Sequence, residues 1–291
     1  MESYLEVFKN SFIGTLNWTW DSVLFNVSWY NNYFWGLLVI SILVWSFELA
    51  FPWRKNQGKI RHDFWLDFFY MYFNFFVFSI VIAGVYAILE NVFTGMGITT
   101  QSFALIDVSS WPMVLQLLLF FILLDFVQWI THVLLHRFRF LWQFHKVHHS
   151  VVEMGFAAHL RYHWMENIFY KPLKTLGVML IGGFEPEQAY MVHFFAITIG
   201  HLNHANLKLP WGPLKYVFNN SEMHIWHHVW ELPKGKENGI NFGITLSLWD
   251  YIFGTAAIPH DGRDIKLGFP EMEKFPKTFI GQLFYGFRKK E

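Results

Sequence analysis

The sequence predicts an all-α integral membrane protein, with three to four transmembrane helices and a re-entrant helical hairpin, capped by a cytoplasmic helical domain rich in histidine. Three observations predict it. Hydrophobic residues make up 54% of the chain and charged residues only 15%, against about a quarter charged in soluble domains. Three long stretches before residue 125 are apolar and carry a single charge, Glu48. Most of the 15 histidines gather between residues 132 and 228. Composition also excludes functions. With 0 cysteines there are no disulfides, iron–sulfur clusters or thiolate-bound haem. Lys+Arg and Asp+Glu balance at 22 each, so no basic field for nucleic acid exists.

No linker or repeat divides the chain, so 1–291 is expected to be one membrane domain. Within it, 1–124 holds an N-terminal interfacial helix and the membrane helices, 125–256 the histidine region, and 257–291 a C-terminal cytoplasmic tail. Ser3–Val27 is aromatic and weakly amphipathic, as an interfacial helix would be. Residues 33–51, 68–89 and 108–124 each approach or exceed the ~17–25 residues that cross a hydrocarbon core. Thr175–Phe184 and Gln188–Gly200 are shorter, separated by Gly182-Gly183 and Glu185-Pro186-Glu187; they read as a hairpin that dips into the membrane and returns, or as two full spans if the helices extend. Arg54, Lys55, Lys59 and Arg61 follow the first span and Arg137, Arg139 and Lys146 the third, while 90–112 has no Lys or Arg. The positive-inside bias therefore places 52–63 and 137–171 in the cytoplasm, of a bacterial inner membrane or endoplasmic reticulum.

His132 and His136, four residues apart, share a face at the end of the third span. Asp125, two turns earlier, is expected to orient His132 through its free ring N–H. His145-Lys-Val-His148-His149 and His224-Ile-Trp-His227-His228 repeat H-x-x-H-H, placing three imidazoles at i, i+3 and i+4. Crowded imidazoles disfavour one another's protonation; metal binding uses their neutral lone pairs instead. Eight ligands are more than one ion takes, so two metal ions are expected, completed from His159, His163, His201 and His204. Imidazole alone does not choose among zinc, copper, iron and nickel.

At these residues the chain resembles the fatty acid hydroxylase/sterol desaturase superfamily of membrane di-iron oxygenases. The series H-x(3)-H, H-x-x-H-H, H-x-x-H-H stands here as THVLLH, FHKVHH and MHIWHH. The similarity runs from Asp125 to Thr255, including NFG (Asn241–Gly243) and WDYIFGT (Trp249–Thr255). It implies two irons held by His132, His136, His145, His148, His149, His163, His204, His224, His227 and His228. Asp125, Glu166, Asn241 and Asp250 are then expected to support the ligands. His159 and His201 stay open between ligand, supporting group and helix-face residue; His62 and His193 read as structural or interfacial, and His260, beyond the last motif, is given no role in the site. The resemblance further implies O2 as co-substrate, a lipid substrate drawn from the bilayer, and hydroxylation or desaturation of a C–H bond. Zinc can replace iron on isolation. With no haem segment or nucleotide fingerprint, electrons are expected from a separate reductase, ferredoxin or cytochrome, for which Arg137, Arg139 and Lys146 offer a docking patch or a headgroup contact. Phe138, Phe140, Trp142 and Phe144 either line the lipid's path or anchor the interface.

The lipid itself stays open among sterol, fatty acyl, sphingoid and alkylglycerol. GPL before the third box leans toward the alkylglycerol branch, AAHLRYH toward the sterol one. A metal transporter or sensor is the alternative class, and an inactive family member a third. A conduit needs ionisable groups along the bilayer, whereas the histidines cluster at one end, which favours a fixed site.

Overall fold

The computed structural model describes residues 3–184, 186–209 and 211–287. Helix α1 (Tyr4–Val23) starts at a capping box: Ser3 Oγ accepts from Glu6 N, and Glu6 Oε2 accepts from Ser3 N. Helix α2 (Tyr33–Ala50) is capped by Asn32, whose side-chain oxygen accepts from Trp35 N at 3.2 Å, and it fills the stretch 33–51 that the sequence predicts except for Phe51, its C-cap. Helix α3 (Phe64–Tyr72) continues through a π turn at Phe73–Val77 into α4 (Phe78–Gly95). In that turn Asn74 Nδ2 donates to the Tyr162 carbonyl at 2.9 Å, a side-chain contact of the kind that π turns often serve. Helix α1 packs on α4, where the absent side chain of Gly84 makes room for Phe8.

The second span thus starts four residues earlier than expected, because Asp67 does not end it. Asp67 is buried and paired with Arg61 and with Arg161, the latter at 2.9 Å; Arg161 also pairs with Asp63 at 2.9 Å. A carboxylate neutralised by two guanidinium groups no longer has to face water. Two cations of the basic loop also have structural contacts. Arg61 is buried, and Arg54 donates to the Met154 carbonyl at 2.7 Å, so both brace the fold.

The third span also shifts. Val108 donates to the Gly182 carbonyl at 3.0 Å, Pro112 precedes the helix, and α5 (Met113–Arg137) then carries both His132 and His136 in its last turns. Three helical segments, Tyr33–Ala50, Phe64–Gly95 and Met113–Arg137, are long and apolar enough to cross a membrane. Helix α6 (Arg139–His149) follows at once. Helices α7 (Trp164–Met179) and α8 (Pro186–His204) both pack on α5. Just after α7, β2 (Ile181–Gly182) pairs in parallel with β1 (Ile106–Asp107), which lies before the end of α5 farther from its histidines. Gly183, at φ 91°, turns where a Cβ would strike Asp107 and Ser109.

Helices α9 (Ser221–His227), α10 (Leu248–Ile252) and α11 (Phe279–Leu283) complete the chain. The described part of 257–291 packs back on the body. Tyr70 donates to Gln282 at 3.0 Å, and the Leu283 carbonyl accepts from Trp164 Nε1 at 2.9 Å. One buried cluster, Leu37, Met71, Phe76, Leu160 and Ile197, ties α2, α3, the π turn and α8 together behind the histidines.

Candidate metal centre

Nine histidines converge in two groups. His132, His136, His145, His149 and His227 form one; His148, His204, His224 and His228 form the other, and within each group a ring nitrogen of every member lies within 4.8 Å of the rest. Helix geometry sorts them. On a helix, i and i+4 point about 40° apart while i+3 swings about 60° the other way. In α6 the i, i+4 pair His145/His149 enters the first group and His148 the second. In α9 the i, i+4 pair His224/His228 enters the second and His227 the first. The ring centroids of His149 and His228 lie 4.4 Å apart, so the two groups adjoin.

Four of the outer ring nitrogens meet backbone carbonyls. Nδ1 of His132 meets the Phe242 carbonyl at 2.7 Å, that of His148 the Arg161 carbonyl at 3.0 Å, that of His204 the Gly200 carbonyl at 2.8 Å and that of His227 the Ile240 carbonyl at 2.8 Å. A carbonyl cannot donate, so each Nδ1 carries the proton and each Nε2 keeps its lone pair. Those lone pairs face inward. Nε2 of His132 lies 3.0 Å from that of His145, and Nε2 of His224 lies 2.9 Å from that of His204 and 3.1 Å from that of His228. Nε2 of His136, His149 and His227 is buried with no hydrogen-bond partner. Facing, orphaned lone pairs are what a bound cation satisfies, so these residues fit two metal ions. Burial and neighbouring imidazoles push His145, His149, His204, His224, His227 and His228 well below the usual histidine range, and burial pushes His148 down to about 4.

The supporting carboxylates divide differently from the sequence expectation. Asp125 does not orient His132; it accepts from Trp249 Nε1 at 2.8 Å and Leu246 N at 3.4 Å. Asp250 acts on His132 through the backbone. It accepts from Phe242 N at 2.9 Å, Gly243 N at 2.7 Å, Trp129 Nε1 at 3.1 Å and Thr255 Oγ1 at 2.6 Å, fixing the loop whose Phe242 carbonyl holds His132. Asn241 sits at φ 55°, which asparagine tolerates better than most residues. Its amide donates to Met223 and Ala257 carbonyls and so ties that loop to α9. Glu166 is the carboxylate in direct contact, with Oε2 3.1 Å from His145 Nδ1. Burial pushes its carboxyl up to about 8; a cation beside His145 would draw it back down.

His163 lies outside both groups. It caps α7, its Nδ1 accepting from Met165 N at 3.1 Å and its Nε2 donating to the Leu283 carbonyl at 2.9 Å. His159 and His201 also stand apart, joined Nδ1 to Nδ1 at 2.9 Å, with His201 Nε2 3.2 Å from Ser41 Oγ. His159 packs so closely on Gly200 that a Cβ there would collide with its ring. Sequence reasoning missed Asn219, whose amide lies 3.4 Å from His224 Nδ1, although it stands in the NNSEMHIWHH segment. Of the four aromatics before the second box, Phe138 and Phe140 are exposed, Phe144 is buried, and Trp142 packs on His136 and His149.

A cavity of about 950 Å³ leads from His132, His145 and His148 between α5, α7 and α8, with mostly apolar walls that include Phe75, Phe120 and Val192.

Residues 117–255 match the fatty acid hydroxylase family. The histidine region therefore belongs to the fatty acid hydroxylase/sterol desaturase superfamily. An ornithine lipid hydroxylase of Rhizobium tropici is 31% identical over 180 residues, 62% of this chain and 53% of that one. Methylsterol monooxygenase 1-1 of Arabidopsis thaliana is 27% identical over 49% of this chain and 47% of its own length. Alkylglycerol monooxygenase of Homo sapiens is 28% identical over 46% of this chain and 29% of its own. The chain thus spans about half, or less, of these relatives. No solved structure matches it.

Proposed function

We propose that the protein is a membrane-bound, O2-dependent di-iron oxygenase that hydroxylates or desaturates a C–H bond of a lipid. The observation that carries this reading is the pair of histidine groups beside a large apolar cavity, whose wall includes His132, His145 and His148. Two bound irons would supply the activation of O2 and the oxidising power. The nine histidines would hold them with neutral nitrogens, and the backbone carbonyls and Glu166 would keep the outer ring nitrogens of His132, His145, His148, His204 and His227 protonated. Apolar walls would exclude water and lay the lipid's C–H bond beside the centre. Asp250, Asn241, Asp125 and His163 would position ligand-bearing segments, and the His159–His201 pair would pack behind the second group. Zinc in isolated protein would mark mis-metallation.

The substrate class is a sterol, fatty acyl, sphingoid or alkylglycerol lipid. Electrons would come from a separate reductase, ferredoxin or cytochrome docking near exposed Arg137 and Arg139. The centre would face the cytoplasm, with the α7–α8 hairpin entering the membrane from that side. The test is metal content and lipid turnover of detergent-purified protein supplied with a reductase. About two irons per chain and oxygenated lipid are expected; no transition metal bound after anaerobic iron loading would overturn the reading.

A further inference from the structure

Two cations on the cavity wall have no part in the metal centre. Lys171 and Lys174 stand on α7 and line the cavity; three residues apart, they share a helix face. Neither forms an ion pair among the described residues. Of the carboxylates on the same wall, Glu166 is taken up by His145 and the His163 backbone, and Asp125, which attracts Lys174 electrostatically without forming an ion pair, makes its hydrogen bonds with Trp249 and Leu246. Lys174 instead lies 5.5 Å from the Tyr170 ring centroid. Helix α7 packs beside α5, with Gly177 against Val127, so both lysines fall within the length of a helix long and apolar enough to span the membrane. An ammonium group there is costly unless something anionic meets it, and such residues mark ligand sites.

We propose that Lys171 and Lys174 bind the anionic headgroup, a carboxylate or phosphate, of the lipid whose chain occupies the cavity. This rests on the reading of the site as lipid-oxidising and narrows its substrate class. Geometry adds regiochemistry. Glu166 touches His145, and at 1.5 Å rise per residue Lys171 and Lys174 stand roughly 8 and 12 Å farther along α7. The oxidised carbon therefore lies close to the headgroup rather than at the far end of the chain. Neutral sterols and neutral alkylglycerols would be poor ligands.

The experiment measures equilibrium binding of radiolabelled hexadecyl phosphate to purified protein in neutral detergent, with unlabelled hexadecyl phosphate, hexadecanol and inorganic phosphate as competitors. Wild-type protein is expected to prefer hexadecyl phosphate to hexadecanol by roughly tenfold or more, with no competition from inorganic phosphate. Lys171→Met/Lys174→Met should lose the preference while keeping its affinity for hexadecanol, and Lys171→Arg/Lys174→Arg should retain it. If the double Met variant is not monodisperse, the Lys171→Gln and Lys174→Gln single variants should each lose roughly threefold of the preference. Equal affinity for the two lipids in wild type, or a preference unchanged in the variants, would overturn the proposal and leave the lysines as contacts to bulk lipid. Competition by inorganic phosphate at comparable concentration would overturn it in favour of a free-anion site. Iron content of the same samples separates the two readings. Two irons without headgroup preference sinks this proposal alone, and headgroup preference without iron sinks the oxygenase reading alone.

Discussion

The five-histidine and four-histidine groups draw on the same two H-x-x-H-H segments, yet they are backed differently. Around the first, His132 and His227 lean on loop carbonyls and His145 on the carboxyl of Glu166. Around the second, the hydrogen-bonding groups at His148, His204 and His224 are neutral: the Arg161 and Gly200 carbonyls and the Asn219 amide. Cation binding at the first group would therefore gain from a nearby carboxylate, while at the second it would depend on imidazole donors alone. The difference teaches that two sites built by one repeated motif need not be equivalent, because the motif supplies the ligands and the surrounding loops supply the charge.

The largest expected effect breaks both groups at once. His148→Ala with His227→Ala removes one ligand from each and should abolish iron binding and lipid oxidation, measured by metal analysis and product formation. A single change should break one group: His204→Ala is expected to leave about one iron per chain, held by the first group. Glu166→Gln sharpens the comparison. It should weaken the first group's metal by about 10- to 100-fold and leave the second nearly unchanged, visible as a newly biphasic chelator titration.

Acid provides a third comparison. An unfolded histidine takes up its proton near pH 6.5, whereas His148 in the fold resists until about 4. The unfolded chain then binds more protons across that window, so stability is full above about 6.5 and falls as pH drops toward 4. Melting of chelator-treated protein should follow this, and bound metal should oppose it. The smallest effects fall on the supports. Asp250→Asn strands donors from the loop that holds His132 and should cost about 1–3 kcal/mol per unsatisfied donor, with iron loss from the first group. Asp125→Asn, which touches neither group, should lower thermal stability without changing iron stoichiometry.

Much of the histidine centre was legible in the sequence because its rings come from short local patterns. H-x-x-H-H on a helix puts three rings on one side whatever the surroundings, and His132/His136 follow the same rule. The three membrane helices were legible because apolar length is additive along the chain. Their ends were not: Asp67 looked like a boundary until Arg61, six residues before it, and Arg161, 94 residues after it, were seen to neutralise it. His163 shows the opposite failure. Its spacing matched a ligand, but position at the start of α7 gave both its nitrogens other work.

By itself the sequence determined an apolar, cysteine-free helical chain with clustered imidazoles, since composition and helical period need no long-range contact. Only the tertiary structure decided how the rings divide into two groups, that Asp250 rather than Asp125 supports His132, and that two lysines share the cavity wall. Those outcomes depend on backbone carbonyls and on segments more than 100 residues apart, such as the Phe242 carbonyl that meets His132. Sequence spacing carries no information about such groups until the chain has closed around them.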